Sequence, residues 1–503
     1  MTSVADGSLG QMLARLVEEI DVPPSKYDEA KGHYTAVGEW LGAGDSPLAF
    51  FGVAVYPQGS FALGTAVKPA EDCDYDVDAV CLLRHAPGEW TQESLKEAVG
   101  QRLRAHKTYK LMLRPPEGGR RCWTLQYADG SRFHLDVLPA KPDRFDWLVE
   151  LGVPERYAEP AIQITSRECY SDPTWPKSNP AGYLRWFVDR MRPRFDEARK
   201  RVAMAKSAEV HQVPEYEVQT PLQRVVQILK RQRDVMFGDD PNKPISIIIT
   251  TLAARAYQNE ADLVVAYRNI VRGMRSQIQR VGSHYVILNP VNPLENFADR
   301  WITHPERQER FFRWLDAVEA TERELSDARG IEKQAELLME SFGPSGARAA
   351  GAVAPALLKS AQPLGEAVEL SSGLSQVLAA AHRAKPPWPI DRECTATVSA
   401  RASRPGFRTV NFSDRSPSPT LAKSMSLGFT LSTNTPKPFD VYWQVVNTGD
   451  EASKVGGLRG GFELGTLEHR ESTEYRGRHS IQAFVVKSGR CVAQSRPVYV
   501  LIR

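Results

Sequence analysis

Hydrophobic positions recur with a helical period in the first part of the chain and with a strand period in the last. Leu13, Leu16, Val17 and Ile20 fall near i, i+3, i+4, i+7, so Leu9 to Leu41 is read as helical, with Pro23-Pro24 as a break. The apolar run Phe50 to Val55 leads into Gly59-Ser60, read as a tight turn, and then into a strand over Tyr75 to Val80. A helix over Gln92 to Arg104 follows. Lys110 to Leu113, Cys122 to Tyr127 and Phe133 to Leu138 suggest further strands, with Asp129-Gly130 as a hairpin signal between the last two. Asp172 to Pro180 carries three prolines and is read as irregular.

Helices are expected over Gly182 to Arg190 and around Arg194 to Val210, the second with Pro193 in its first turn. Thr220-Pro221 opens the best-signalled helix, with Thr220 at the N-cap, Pro221 in the first turn and Gly238 at the stop. Leu222, Val225, Val226 and Leu229 form its buried stripe, which leaves Arg224, Lys230, Arg231 and Arg233 on the surface. On propensity alone Lys243 to Leu252 is a strand. Glu309 to Met339 is largely helical, with a break at Gly330. Phe342 to Ala356, rich in Gly, Ala, Ser and Pro, is linker-like. Beyond Lys385-Pro386-Pro387-Trp388-Pro389 the chain turns β-like, with Ser426 to Leu431, Phe439 to Val446, Ser480 to Val486 and Val498 to Ile502 alternating between turn signals.

A length of 503 residues exceeds one ordinary core and implies two or three domains. Apolar content of 42% and charged content of 25% are those of a soluble globular protein. The net charge of +3, with no long basic stripe, does not support direct nucleic-acid binding. Cys73, Cys81, Cys122, Cys169, Cys394 and Cys491 are scattered without a CxxC pair, which argues against a zinc site and for a reducing compartment. The N-terminus lacks a signal-peptide layout. No apolar run reaches the roughly 18 residues of a membrane span. A cytoplasmic protein is expected.

The chemistry concentrates in two places. Glycine lets the backbone near Gly59-Ser60 approach a ligand and aim N–H groups at it. On the following strand Asp76 and Asp78 share one face, and Tyr75, Val77 and Ala79 the other. Asp72 and Asp74 have the same parity, so alternation alone does not select the pair; Asp76 and Asp78 lie deepest in the apolar run. Over Arg132 to Pro139, His134 and Asp136 share a face opposite Phe133, Leu135 and Val137. Clustered carboxylates repel unless a cation neutralises them. A phosphate cradle beside paired carboxylates suits metal-dependent nucleotidyl transfer. Tyr183 and Trp186 are read as core residues or base-stacking groups, His134 as a neighbour of the acidic set, and Arg231 and Arg233 as a solvated or phosphate-facing surface.

Gly59-Ser60 followed by the Asp-x-Asp strand resembles the polymerase-β-like nucleotidyltransferases. Gln58 to Thr65 and Tyr75 to Val80 more narrowly resemble the bacterial CD-NTases, relatives of cyclic GMP-AMP synthase and oligoadenylate synthase that make nucleotide second messengers in CBASS anti-phage defence. Val286 to Phe297 matches the same pattern. Val445 to Ala452, Leu458 to Gly460 and Tyr475 to His479 resemble the small C-terminal sensor domain found on some of these enzymes. In that domain Arg459, Arg476, Arg478 and His479 serve either a ligand or partner, or simply the turns they flank.

The resemblance implies an α/β fold: a mixed-sheet nucleotidyltransferase core with its N-terminal helix over 1–215, a helical lobe over 216–341, a linker over 342–388 and a small β-rich domain over 389–503. It implies a buried helix rather than a strand after Lys243, which Leu252 to Tyr257 supports. It places Mg²⁺ (or Mn²⁺) on Asp76, Asp78 and Asp136, and donor phosphates on Gly59, Ser60, Lys230 and Ser246. The substrates implied are NTPs, ATP foremost and GTP beside it. The product is a cyclic oligonucleotide acting on a separate effector, with a regulatory ligand or protein at the C-terminal domain. Transfer of NMP to a small molecule, tRNA or protein, and a catalytically inactive nucleotide sensor, are the alternatives.

Overall fold

The computed structural model describes residues 4–69, 74–115, 117–127, 133–171, 174–206, 218–328, 330–361, 377, 380–390, 394–406, 409–414 and 419–503, with the side chains of 4–6 and 355–361 left aside. Asp72, Cys73, Asp129-Gly130, Asp172-Pro173, 207–210 and 362–376 lie outside the described residues. The chain divides into two compact units, one of Ile20–Arg233 with Pro241–Glu322 and one of Met1–Glu19, Asp234–Asp240 and Arg323–Arg503.

The first unit is built on a six-stranded mixed sheet: β1 (Val53–Gln58), β2 (Tyr75–Leu83), β3 (Trp123–Tyr127), β4 (Phe133–Pro142), β5 (Ile162–Ile164) and β6 (Lys177–Ser178). The order is β1-β2-β4-β5-β6, with β3 also on β4. Strands β2 and β4 run parallel, and their neighbours run antiparallel to them. Strand alternation divides the sheet's labour. Val77, Ala79, Cys81, Leu125, Leu135 and Val137 sink into a core completed by Leu95, Val99 and Leu103 of the helix Gln92–Ala105 and by Val37 and Leu41 of the helix Pro24–Gly42. The residues between them, Asp76, Asp78, His134 and Asp136, are left on the opposite, more open face.

Two local expectations change, and the helix expected after Lys243 forms. Gly59-Ser60 opens a single turn of helix, Gly59–Ala62, rather than a bare turn. Lys110 to Leu113 is not a strand: Lys107–Met112 is helical, His106 Nδ1 accepts the Tyr109 N–H at the cap, Tyr109 is buried, and Leu111 points out at 72% exposure. Only Leu113 keeps a strand-like bridge, to Leu125. The cap and the Tyr109 anchor outweigh the weak strand signal of a short apolar run. After Lys243 the chain forms the helix Ser246–Ala256, whose residues Ile248 to Ala254 are all buried.

The helix Pro221–Phe237 closes at Gly238, which takes φ 54°. Its start is a reciprocal box: Thr220 Oγ1 accepts the Gln223 N–H, and Gln223 Oε1 accepts the Thr220 N–H. Lys230 and Arg233 are not surface residues here, being 4% and 9% exposed. Four short strands follow in this unit: β7 (Gln279–Val281), β8 (His284–Val286), β9 (Leu288–Asn289) and β10 (Asn292–Asn296).

In the second unit, ten strands form two facing sheets: β11 (Ala396–Ser403), β12 (Val410–Ser413), β13 (Thr420–Leu421), β14 (Ser426–Thr433), β15 (Asp440–Asn447), β16 (Phe462–Gly465), β17 (Glu468–Ser472), β18 (Gly477–Lys487), β19 (Arg490–Gln494) and β20 (Val498–Ile502). One sheet runs β12-β11-β14-β17 and the other β13-β20-β18-β15-β16 with β19 on β18. Their inner residues, among them Val398, Phe429, Trp443, Ile481 and Val500, share one core. Part of the stretch read as linker is helical: Ile331–Ala361 runs on through a kink at Gly343 (φ 56°, ψ −137°). The small residues that look linker-like instead allow close packing, since a Cβ on Gly346 would come within 2.1 Å of the Leu338 carbonyl oxygen. No helix among the described residues is long and apolar enough to cross a membrane.

Candidate active site

Strand register assembles the acidic face. Gln58 of β1 pairs with Asp78 of β2, Asp78 with Asp136 of β4, and Asp136 with Thr124 of β3. Four strands thus lay one polar row across the sheet. Thr124 Oγ1 donates to Asp136 Oδ1 and fixes that carboxylate. The next pair along, Asp76 and His134, continues the face. His134 Nε2 lies 3.0 Å from Asp74 Oδ2 and its Nδ1 3.7 Å from Asp76 Oδ1, so His134 sits beside the acidic set as a neighbour.

Gly59 is required where β1 meets its helical turn. It adopts φ 64°, and a Cβ there would lie 2.7 Å from Asp78 Oδ2. Ser60 follows within that turn, and its carbonyl accepts the Thr65 N–H. The segment after the turn is clamped by one face of the helix Pro221–Phe237. Gln223 Nε2 donates to Leu63 O at 3.1 Å, Gln227 Nε2 to Ala66 O at 2.9 Å, and Lys230 Nζ to Thr65 O and Oγ1 at 3.0 and 3.1 Å. These residues stand at i, i+4 and i+7, so one helical stripe satisfies three successive stretches of buried backbone. Lys230 therefore reaches the segment just beyond the glycine turn. Ser246 opens its helix without capping it by side chain, and its Oγ accepts from Arg233 Nη1 at 2.9 Å. Arg233 also donates to Pro244 O, which makes it an internal tie instead of a solvated group.

Two aspartates of this face, Asp78 and Asp76, are raised above the ordinary carboxylate range. Burial, then repulsion from Asp136 and Asp76, pushes Asp78 up to about 7. Asp76 is also raised, by the protein around it and then by Asp136 and Asp74 against the pull of His134, but its carboxylate is open to water and most of that effect is screened. The half-buried Cys122 thiol is pushed up to about 12 by desolvation and then by Asp136 and Asp78. Among the described residues no three His, Cys, Asp or Glu donors already stand together as a closed metal site. Asp78 and Asp136 offer part of one, and their mutual repulsion is what a bound cation would relieve. That donor set suits Mg²⁺, which takes one or two carboxylates and completes its shell with water and phosphate oxygens.

Gly59 and Asp78 open into a cavity of about 810 Å³. Arg121, Lys177, Lys243, Arg300 and Arg307 bring positive charge to its walls. Lys177 is held by Asp143 at 3.2 Å and lies 4.0 Å from the centre of the Trp147 ring. Tyr183 lines the cavity too, with its hydroxyl 2.8 Å from Thr251 Oγ1. The Trp186 ring lies 5.2 Å from that of Tyr183. Glu295 is raised by burial and accepts from Asn289 at 2.7 Å. None of these cationic lining residues stood out in the sequence. The one readable signal was Asn179-Pro180, a cap and first-turn pair: Asn179 Oδ1 accepts the Gly182 N–H at 2.9 Å and seats the helix that carries Tyr183.

In the C-terminal unit Arg459 bridges Glu463 and Glu471, Arg476 donates its backbone N–H to Glu451, and Arg478 and His479 are buried.

Two family models match parts of the chain. Residues 53–139 match the family model described as "Cyclic GMP-AMP synthase DncV-like, nucleotidyltransferase domain", and residues 378–503 match the "Adenylyl/Guanylyl and SMODS C-terminal sensor domain", which begins before the expected boundary at 389. The chain is 31% identical over 348 residues to a c-di-GMP synthase of Roseivirga ehrenbergii, covering 68% of this chain and 86% of that protein. It is 27% identical over 331 residues to the cyclic dinucleotide synthase CdnG of Bradyrhizobium diazoefficiens, covering 62% and 74%. The solved structure of the Bradyrhizobium diazoefficiens CD-NTase CdnG in complex with GTP shares the fold at a TM-score of 0.52 and 22% identity, covering 69% of this chain and 98% of that one. On the fold and these relatives together, the chain belongs to the CD-NTases, a family of nucleotidyltransferases, and carries their C-terminal sensor domain.

Proposed function

We propose that the chain makes a cyclic dinucleotide from NTPs, with GTP as a substrate. The base choice rests on its 31% identity to a protein named as a c-di-GMP synthase. The observation that carries the reaction is the register that sets Asp78 beside Asp136, with Gly59 against Asp78 at the wall of one large cavity.

Asp76, Asp78 and Asp136 are the carboxylates that would hold Mg²⁺ (or Mn²⁺). When bound, the metal neutralises phosphate charge and lowers the cost of negative charge on the attacking and leaving oxygens. The chain's own residues do the rest by positioning. The N–H groups of the Gly59–Ser60 turn and the Ser60 hydroxyl hold the donor's terminal phosphates. Lys230 keeps the following segment in place through Thr65 and adds positive charge behind the turn. Ser246, held by Arg233, is assigned to the same donor phosphates. Asp136, fixed by Thr124, faces the acceptor's ribose hydroxyl and takes its proton as that oxygen attacks the donor's α-phosphorus in line; pyrophosphate leaves as the new P–O bond forms. A second round on the linear product closes the ring. The product acts on a separate effector, in anti-phage defence.

Mass spectrometry of products from the four NTPs, singly and together with Mg²⁺, tests this. A cyclic dinucleotide containing guanine is expected. A labelled tRNA, protein or small-molecule adduct without cyclic product overturns it.

A further inference from the structure

One carboxylate in the wall of the nucleotide cavity stands apart from the acidic row. Glu295 lines that cavity among its cations, where a carboxylate repels a triphosphate. It lies on β10, whose pairing with β9 shifts register between Asn292 and Asn296. A bulge of this kind re-aims the side chains within it. Asn289 of β9 then locks the carboxylate. It is 5% exposed, its Oδ1 accepts the Val291 N–H at 3.0 Å, and its Nδ2 donates to Glu295 Oε2 at 2.7 Å. Among the described residues Glu295 Oε1 has no donor, and it is not sealed from solvent.

A second group on the same wall complements it. Arg121 precedes β3 by two residues, is exposed, and lines the cavity. Its guanidinium makes no ion pair or hydrogen bond among the described residues. Its positive charge nonetheless reaches Glu295 and favours the ionised carboxylate. The two groups are therefore near each other and unjoined. A ligand in the cavity meets a fixed acceptor in Glu295 and a free donor in Arg121.

Of the bases carried by NTPs, guanine answers this pair most fully. It presents adjacent donors, N1–H and the 2-amino group, with the O6 acceptor beside them. A carboxylate accepts both donors together, having about four lone-pair sites of which Asn289 occupies one. Arginine is a common donor to O6. Adenine reverses the pattern, with an acceptor at N1 and a donor at N6, and hypoxanthine lacks the 2-amino group. We propose that Glu295 and Arg121 select guanine in this cavity, the carboxylate reading N1–H and the 2-amino group and the guanidinium reading O6. This rests on the reading that NTPs occupy the cavity.

Titration calorimetry of the full-length protein tests it, with Mg²⁺ and the α,β-methylene triphosphates of guanosine, inosine and adenosine, which bind without transfer. Wild type should hold the guanosine analogue about tenfold or more tighter than the inosine analogue. Glu295→Gln should weaken the guanosine analogue about 10- to 100-fold and erase that preference. Arg121→Met should weaken the guanosine and inosine analogues alike and the adenosine analogue least. A wild type that binds none of them, or is indifferent to the 2-amino group, overturns the proposal. So does an equal loss for all three analogues in either variant, because the pair then holds ribose or phosphate. Should Glu295→Gln not fold, Glu295→Asp, which keeps the charge but draws it back from the base, must erase the same preference. Product analysis in parallel separates selection from the reaction. Selective binding without cyclic product sinks the reaction and keeps the pair. Cyclic guanine product from Glu295→Gln, with GTP still preferred over ITP, does the reverse.

Discussion

In the nucleotidyltransferase cleft two carboxylates stand side by side across adjacent strands, under a cavity of about 810 Å³ whose walls carry several cations. In the sensor-domain sandwich a cavity of about 160 Å³ is lined by apolar side chains of both sheets together with Arg459, Glu471, Glu474 and His479. The first site is frustrated by excess like charge, whereas in the second Arg459 is already paired with Glu471 and Glu463. Charge frustration is relieved by cations and by phosphates arriving with them, and it responds steeply to pH and metal. Charges already paired within the protein respond less. The two cavities thus belong to different chemistry, although both arise by placing polar residues on the inner or open face of a β-strand.

The largest expected effect is on the acidic row. Asp78→Asn and Asp136→Asn should each cut product formation by about 1,000-fold or more, measured as cyclic product from GTP, while the fold persists by circular dichroism. If either retains near-native activity, the register-based assignment fails. Gly59→Ala comes next. Its positive φ and the 2.7 Å approach to Asp78 Oδ2 predict a loss of about 100-fold in kcat with a destabilisation of about 1–2 kcal/mol.

The comparison sharpens through pH. Asp78 is raised, so the native state holds its proton more tightly than the unfolded chain does. Its stabilising contribution is full below the ordinary carboxylate range and is lost as pH rises through about 7. In urea titrations the metal-free protein should lose stability across that window, and Asp78→Asn should be spared about 1–3 kcal/mol of the loss. Added Mg²⁺ should restore wild type and leave the variant unmoved. Lys230→Met strips the Thr65 carbonyl and hydroxyl of their buried donor, for about 1–3 kcal/mol in the same titrations and a higher KM for GTP. The smallest effect lies in the sensor unit. Arg496 pairs with Glu324 at 2.6 Å and Glu340 at 3.1 Å, and Arg496→Ala should cost about 1 kcal/mol without changing the pH response of the cleft.

Much of this was legible in advance because short-range rules govern it. Helical period and Pro breaks located the N-terminal pair Val4–Ile20 and Pro24–Gly42, cap chemistry located Pro221–Phe237, and alternation placed Asp76, Asp78 and Asp136 on open strand faces. Short apolar segments without a decisive period were misread, as at Lys107–Met112, where a histidine cap and one buried tyrosine decide the conformation. Lys230 and Arg233 looked like surface cations because a helical stripe reports hydrophobicity and not the carbonyls that a second segment brings to its polar face.

The amino-acid order alone determined which residues alternate, where helices begin and stop, and which side chains have the chemistry for phosphate and metal. Only the tertiary structure decided that Asp78 lies beside Asp136, that Gln223, Gln227 and Lys230 clamp the glycine turn, and that Arg478 and His479 are buried. The division has a physical cause. Backbone preferences act over a few residues, whereas register, desolvation and mutual repulsion depend on segments that meet only after the chain has folded.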